Sequence, residues 1–484
     1  MSQNIQNVVL VVIDALRYDR VGLYTDERQL TPHIDELGKR GTVFENAFAC
    51  TNATDPSVTS IQSGRDPETV VKHHGPFVSD REKNRAESIR TVPEILQASG
   101  FDTVATGRTL GRWHANGFDH YPEARVGRYE RRAVGEALEK IHPKLRTIAG
   151  RAYEVISFLY DSGDTNEIDE FLGEIGEDPF YGMIHMMDTH VPYTHTEDCV
   201  REMLNRFDYP NRDFETFLEE HGDGKYVGDF LLEHSDGMDF RDGLARWYAK
   251  YDAAVVNADR KVGALLDGLK DRGLLEETLV IVTSDHGESL DEHGIYFDHH
   301  GLYDPQIHVP LIVAGPSIQS RRRDEFVQLY DLAPTILDLL NQGKVLKGEG
   351  RTLTPLLKGS GPWQNREFIV AQEAHAQRRI SIRTQSEKYI KHVPDEVLER
   401  ERGSSLRCGY CNRIHEGERE LYRLTDDPAE ETNIVDQFSD RATSLDEKLS
   451  EYFDGLRPPE QDAEHVTYDD EKEVLERLEE LGYR

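Results

Sequence analysis

Apolar residues are distributed along this chain in two alternating patterns. Continuous runs of roughly four to eight, the pattern of a strand buried on both faces, occur at Val8 to Ile13 and in FDTVATG, PFYGMIHMMD, TLVIVTSD and HVPLIVAG. Between them lie stretches with apolar positions at helical spacing. TPHIDELGKRG predicts a helix that starts at Thr31 and stops at Gly41, and Thr91 to Ser99 another, with Pro93 in its first turn and Gly100 after its end. Leu244 to Arg272 is the longest, broken by Gly273 just before TLVIVTSD, and DLAPTILDLL follows HVPLIVAG. Strands alternating with helices predict the α/β class: a three-layer α/β/α sandwich around a large mixed, mostly parallel sheet.

Near Gly359 to Pro362 the pattern changes. FIVAQEA, RISIRT, KYIKHV and ELYRLT predict a small antiparallel sheet, and Asp446 to Phe453 and Glu471 to Leu481 predict closing helices. The expected division is a main domain over residues 1–360 and a C-terminal subdomain over 361–484. Segments 121–178 and 196–243 are charged and helix-leaning, and read as insertions that form a substrate pocket. The sequence shows no internal repeat.

Composition narrows the function. The chain has 484 residues, 37% of them hydrophobic, enough for a packed core. Its net charge of −34 is spread along the whole length, which argues against nucleic acid or anionic lipid as a partner. A scattered acidic surface, with Arg far outnumbering Lys, fits a halophilic, salt-accumulating cell. MSQNIQN runs straight into a short apolar stretch with no basic region before it, so no secretory signal is read. No stretch approaches the roughly 18 apolar residues of a membrane span. Four cysteines in a chain this long do not make a disulfide framework. The expected location is cytoplasmic.

Three polar clusters follow apolar runs: Asp14 after VVLVVI, TVATGRTLGRWHANGFDHY, and SDHGESLDEHG. Far apart in sequence, they predict one site assembled at one edge of a sheet. The chain therefore reads as an enzyme.

The motifs resemble those of the sulfatase family, within the alkaline phosphatase superfamily, over nearly the full length. NVVLVVIDALRYDRVGLY resembles the opening strand, whose terminal Asp binds metal, here Asp14. TDPSVTSIQSGR resembles the nucleophile segment at Pro56, Ser57, Gly64 and Arg65. GRWH is similar to G-K-W-H, giving Arg112 and His114, and MMDTHVPY is similar to M-D-x-H-x-P-Y, giving His190. The long stretch from YDAAVV to SDHGESLDEHG resembles the family's helix, strand and metal loop. ELYRLTDDPAEETNIV resembles its C-terminal segment.

Beside that resemblance the residues carry their own chemistry. Asp14, Asp285 and His286 offer two carboxylates and an imidazole, a set suited to one divalent ion with an open position. Zinc, manganese, calcium and magnesium all stay open, the oxygen-preferring ions slightly disfavoured by His286. Many sulfatases carry a second Asp where this chain has Ala15. The larger departure is at the nucleophile, where the family converts Cys or Ser to formylglycine and has Pro and Arg two and four residues on. Thr54 stands in that column and Val58 in the arginine's, and Cys50 lacks the following motif. Thr is not a substrate of that maturation, so a formylglycine enzyme is not expected. A Thr54 hydroxyl on a divalent ion is itself an activated nucleophile and completes the metal set. A phosphothreonine is resolved by in-line attack at phosphorus, which tilts the reading toward phosphate esters over sulfate esters.

Arg112, His114, His190 and His300 form the expected oxyanion ring, with the adjacent His299 making that alignment ambiguous by one residue. The resemblance implies hydrolysis, or transfer, of a phosphate or sulfate ester on a small-molecule, glycan or lipid substrate. The alternatives are a formylglycine-independent arylsulfatase-like enzyme and a non-catalytic protein that binds an anion or carbohydrate. The metal set and the His ring oppose the second. Cys408 and Cys411 with His415 suggest part of a zinc knuckle, set against reduced cysteines in a loop. His73 and His74 are expected to serve structure near the pocket, and Arg17 an ion pair beside Asp19.

Overall fold

The computed structural model describes residues 4–25, 27–107, 110–122, 167–210, 244–343, 346–374, 377–407, 417–459 and 475. Most of both insertions and of the expected Glu471 to Leu481 helix, together with Cys408, Cys411 and His415, lie outside those residues. Seven strands make the main sheet: β1 (Asn7–Ile13), β2 (Thr42–Phe44), β4 (Asp102–Gly107), β5 (Phe180–Met186), β6 (Thr278–Thr283), β7 (Leu311–Ala314) and β8 (Arg321–Arg323). Their spatial order is β4-β5-β1-β6-β7-β2-β8. β4, β5, β1 and β6 run parallel, and β7 opposes both β6 and β2, so the sheet is mixed. β3 (Ala47–Phe48) and β9 (Val327–Gln328) form a short parallel pair beside it.

The alternation of side chains along β1 divides the core in two. Val9, Val11 and Ile13 join one cluster with Ala249, Tyr251 and Val255 of the helix Ala245–Asp271. Val8, Leu10 and Val12 join the other, with Ile95 and Leu96 of the helix Val92–Ala98 and with Leu332 and Ile336 of the helix Leu332–Leu339. With both faces covered, β1 is apolar at every position, as its sequence requires.

Helix ends follow local chemistry. Helix α1 (Pro32–Arg40) begins after Thr31 and ends at Gly41. Thr91 and Glu94 form a reciprocal capping box on Val92–Ala98, and Gly100 follows at φ +85°, where a side chain is disfavoured. Among the described residues no helix is long and apolar enough to cross a membrane.

The C-terminal sheet is antiparallel, in the order β10 (Ile369–Gln372), β11 (Arg379–Arg383), β12 (Lys388–His392), β13 (Arg419–Tyr422). The helix Ser439–Gly455 packs Ala442, Leu445 and Leu449 on it. That helix starts seven residues before the expected Asp446, because its first two turns are mostly polar and carry little apolar periodicity. On the other face is a buried charge network. Lys388 Nζ lies 2.6 Å from Asp304 and 2.6 Å from Glu430, and Arg379 bonds Glu373 at 2.7 Å and Glu420 at 2.9 Å. Such charges are tolerated only when each has its counter-ion. The same region docks on the main domain. Gln372 N donates to Cys50 O (3.0 Å), Ala374 N to Asn52 Oδ1 (3.0 Å), and Gly301 N to Glu373 Oε1 (3.0 Å).

Candidate active site

Asp14 is the first residue past β1, Asp285 the second past β6, and His185 the last but one in β5. Register makes them neighbours, since Val12 pairs with both His185 and Thr283. The strand ends are laced together. Ser284 Oγ donates to Ile13 O (2.6 Å) and accepts from Leu16 N (2.9 Å), and Thr189 Oγ1 donates to Asp14 O (2.5 Å). Ala15 sits at φ +59°, in the left-handed region, and its N–H donates to Asp285 Oδ1 at 3.3 Å.

Thr54 closes the cluster from above. It is the first residue of α2 (Thr54–Ser63), so it stands at the positive pole of a helix. Its Oγ1 lies 3.4 Å from Asp14 Oδ2 and 3.3 Å from His286 Nε2. His286 donates Nδ1–H to Gly287 O (3.0 Å), which leaves its Nε2 lone pair facing the carboxylates. Nε2 is 3.6 Å from Asp14 Oδ1 and 3.6 Å from Asp285 Oδ2.

These residues fit a divalent ion. Asp14, His185 and Asp285 each present one ligand atom within 4.8 Å of the others, all buried. Asp14 Oδ1 and Asp285 Oδ2 are buried carboxylate oxygens that accept no hydrogen bond from the described residues, an expensive arrangement unless a cation faces them. Burial alone would raise the Asp14 carboxyl, but His190, His185 and His286 outweigh it and hold it below the usual carboxylate range. Burial and the Asp14 charge push Asp285 the other way, upward.

A second cluster lies beside the first. Asp55, next to Thr54 and fully buried, sits among Arg112 (Nη2 to Oδ1, 2.5 Å), His114 (Nε2 to Oδ1, 3.3 Å), His74 (Nδ1 to Oδ2, 3.1 Å) and Gly75 N, which donates to Oδ2 at 2.9 Å. Burial disfavours its charge, yet Arg112, His74 and His114 hold its carboxyl well below the normal range. Arg112 lies over the Trp113 ring at 4.4 Å. Val58, in the arginine column of the resemblance, helps line a cavity of about 20 Å³ with Gln62, His114, Met183 and His185, room for about one water.

The remaining histidines divide by direction. His190 donates Nδ1–H to Val191 O at 2.6 Å, and its ring centroid is 5.6 Å from that of His299. His299 stacks on His286 at 4.3 Å and contacts Asn52 O through Nδ1 (2.6 Å), whereas His300 has Nδ1 3.2 Å from Asp298. The ring stacked on His286 is thus that of His299, while the His300 imidazole has Asp298 beside it. His73 lies between Glu82 (3.0 Å) and Asp395 (3.1 Å), a structural position. Arg17 pairs with Asp19 (2.7 Å) and Glu292 (2.8 Å).

Two members of the site have no counterpart in the sequence reading. His185 lies in an apolar strand and resembles a core histidine until the register of β1 and β5 is known. Asp55 is a position that the nucleophile motif leaves open.

Comparison with known proteins supplies the wider context. The family model described as Sulfatase matches residues 6–342, and that described as N-sulphoglucosamine sulphohydrolase, C-terminal, matches residues 291–399. Human N-sulphoglucosamine sulphohydrolase is 25% identical over 386 residues, covering 74% of this chain and 67% of its own. A Delta 4,5-hexuronate-2-O-sulfatase of Bacteroides thetaiotaomicron is 22% identical over 451 residues, 90% of this chain and 85% of its own. Among solved structures, a 2-O GAG sulfatase superposes with a TM-score of 0.64 at 18% identity, covering 95% of each chain. The phosphonate monoester hydrolase of Agrobacterium radiobacter also gives 0.64 at 18% identity, covering 93% of this chain and 95% of its own.

Proposed function

Because this chain belongs to the sulfatase family, within the alkaline phosphatase superfamily, we propose that it is a metal-dependent hydrolase cleaving a sulfate or phosphate ester through a covalent bond to Thr54. The observation that carries this reading is the position of Thr54 Oγ1, 3.4 Å from Asp14 and 3.3 Å from His286 at the start of α2. A hydroxyl held there has an acceptor for its proton and a helix N-terminus to favour negative charge.

Asp14, Asp285, His185 and His286 would hold the ion. Two carboxylates and two imidazoles favour a zinc- or manganese-like ion over calcium or magnesium. When bound, the ion supplies positive charge beside Thr54 that lowers the cost of its alkoxide. Thr54 Oγ attacks sulfur or phosphorus, the bond to the leaving oxygen breaks, and that oxygen takes a proton. Water then attacks the same atom, the bond to Thr54 breaks, and the hydroxyl is restored. Arg112, His114 and His190 are the groups assigned to the nonbridging and leaving oxygens, with His299 or His300 completing the ring.

The names of the relatives favour a sulfated sugar as substrate. The plain hydroxyl of Thr54, which cannot release its adduct by collapse of a hemiacetal, favours a phosphoryl group. One experiment separates them: aryl sulfate, phosphate monoester, phosphodiester and phosphonate monoester assayed in parallel in high salt with several divalent ions. Enzyme quenched during turnover should carry a sulfuryl or phosphoryl adduct on the Thr54 peptide. Turnover with no adduct, retained in Thr54→Ala, would replace the covalent route by direct attack of water.

A further inference from the structure

We propose that Asp55 is the positioning residue for His114, fixing its proton on Nε2 so that Nδ1 is the atom that exchanges a proton with substrate. This rests on the hydrolytic reading of the same site. Asp55 Oδ1 is 3.3 Å from His114 Nε2, and both side chains are buried. A carboxylate beside one ring nitrogen sets the tautomer, because only a protonated nitrogen can donate to it. His114 Nδ1 is buried and has no hydrogen-bond partner among the described residues. Its ring lines the small cavity shared with His185, on the metal side of the site. The order carboxylate, imidazole, reacting oxygen is that of any oriented general acid–base pair.

Asp55 also aligns the second group assigned to the oxyanion. Its Oδ1 accepts from Arg112 Nη2 at 2.5 Å, so one oxygen serves both Arg112 and His114 and sets the distance between them. Gly75 N (2.9 Å) binds the other oxygen, which fixes the rotation of the carboxylate. A charge needed only to cap α2 would require none of these side-chain partners. Arg112, buried and held by Asp55, is instead aimed by it.

The first test needs no substrate. In full-length protein with nitrogen-15-labelled histidines, the His114 resonances, assigned by their loss in His114→Gln, should report the Nε2–H tautomer. Asp55→Asn presents an amide that can donate to Nε2, and should move His114 to Nδ1–H. An Nδ1–H tautomer in the wild type overturns the proposal, and that reading stands even where Asp55→Asn fails to fold. The second test uses whichever ester the enzyme turns over. Asp55→Asn should lower kcat by about 10²–10⁴-fold with KM nearly unchanged and metal content intact. Asp55→Ala should regain part of its activity with added formate. An unchanged kcat, or a loss that follows metal content and is not rescued by formate, overturns the assignment. A chain that turns over no ester but shows the Nε2–H tautomer shift removes the hydrolase reading and leaves the Asp55–His114 pairing in place.

Discussion

His185 Nε2 lies 3.3 Å from Asp14 Oδ2, across the parallel pair β1 and β5. Many members of the family have a second carboxylate directly after the first; here that residue is Ala15, turned into the left-handed region with its N–H on Asp285. The neighbouring strand supplies an imidazole to the same cluster.

His185→Ala and Asp285→Ala are therefore both expected to lose the stoichiometric divalent ion while keeping the fold. Elemental analysis after gel filtration in high salt reads this directly. A full equivalent retained by either variant removes that residue from the ligand set.

Thr54→Ala should cut turnover by about four orders of magnitude or more, the scale of losing a covalent nucleophile. Fold and metal content should be nearly intact, because a helix tolerates Ala at its first position. Thr54→Ser keeps the hydroxyl and should keep measurable activity. Parallel rates and melting curves for the two variants are the check.

Arg112→Ala and His190→Ala should each lower kcat/KM by about 10²–10³-fold, typical for one donor to a developing oxyanion. Bound vanadate or phosphate in a crystal of the wild type should touch both side chains. An anion seated elsewhere would undo the carry-over from the family.

Gly107, at the end of β4, has φ +88°, and a Cβ there would fall 2.1 Å from the His185 carbonyl oxygen. Gly107→Ala must displace that backbone and hold a strained φ, costing more than about 2 kcal/mol. The same shift moves the His185 ring, so the variant should lose metal affinity as well as thermal stability. Normal metal affinity in a destabilised Gly107→Ala protein would show that the ring is placed independently of this contact.

His73 gives a pH signature. Burial opposes its charge, but Glu82 and Asp395 raise its pKa above the ordinary value, so its contribution is fully present below pH about 6.5 and is lost as pH rises through the folded value. Burial would raise Glu82, but His73 and Ser79 lower it to about 2, so its contribution is present above pH about 4.5 and is lost as pH falls toward 2. The stability gap between wild type and His73→Gln should be widest from about pH 4.5 to 6.5, at about 3 kcal/mol. Urea unfolding across pH measures it, and a gap independent of pH contradicts the paired charges.

Most of the fold was legible because its strands are buried on both faces and its helices carry ordinary end signals. Thr31, Gly41, Thr91 and Gly273 mark boundaries that the chain obeys. The hydrophobic pattern also located the four C-terminal strands. The site was legible where a residue follows a strand, as Asp14 and Asp285 do, because such positions have little structural reason to be acidic. His185 was not, since a single polar residue inside MIHMM has no local signal, and only the pairing with Val12 gives it a neighbour. Asp55 lies one residue after Thr54, where the motif prescribes nothing, and its partners come from residues 74–75 and 112–114. His299 and His300 differ by one position in a loop, where no periodicity decides which ring faces inward.

Residues 372–374 lie beyond the expected boundary near 360, yet their backbone and the Glu373 side chain hold Cys50, Asn52 and Gly301, which flank Thr54 and His300. A ribosome that has just passed His300 has already made every group assigned to the chemistry. The backbone around the nucleophile still lacks partners that arrive only with β10 and the residues after it. In the order of synthesis, these supports of the site therefore come after all of its assigned reactive groups.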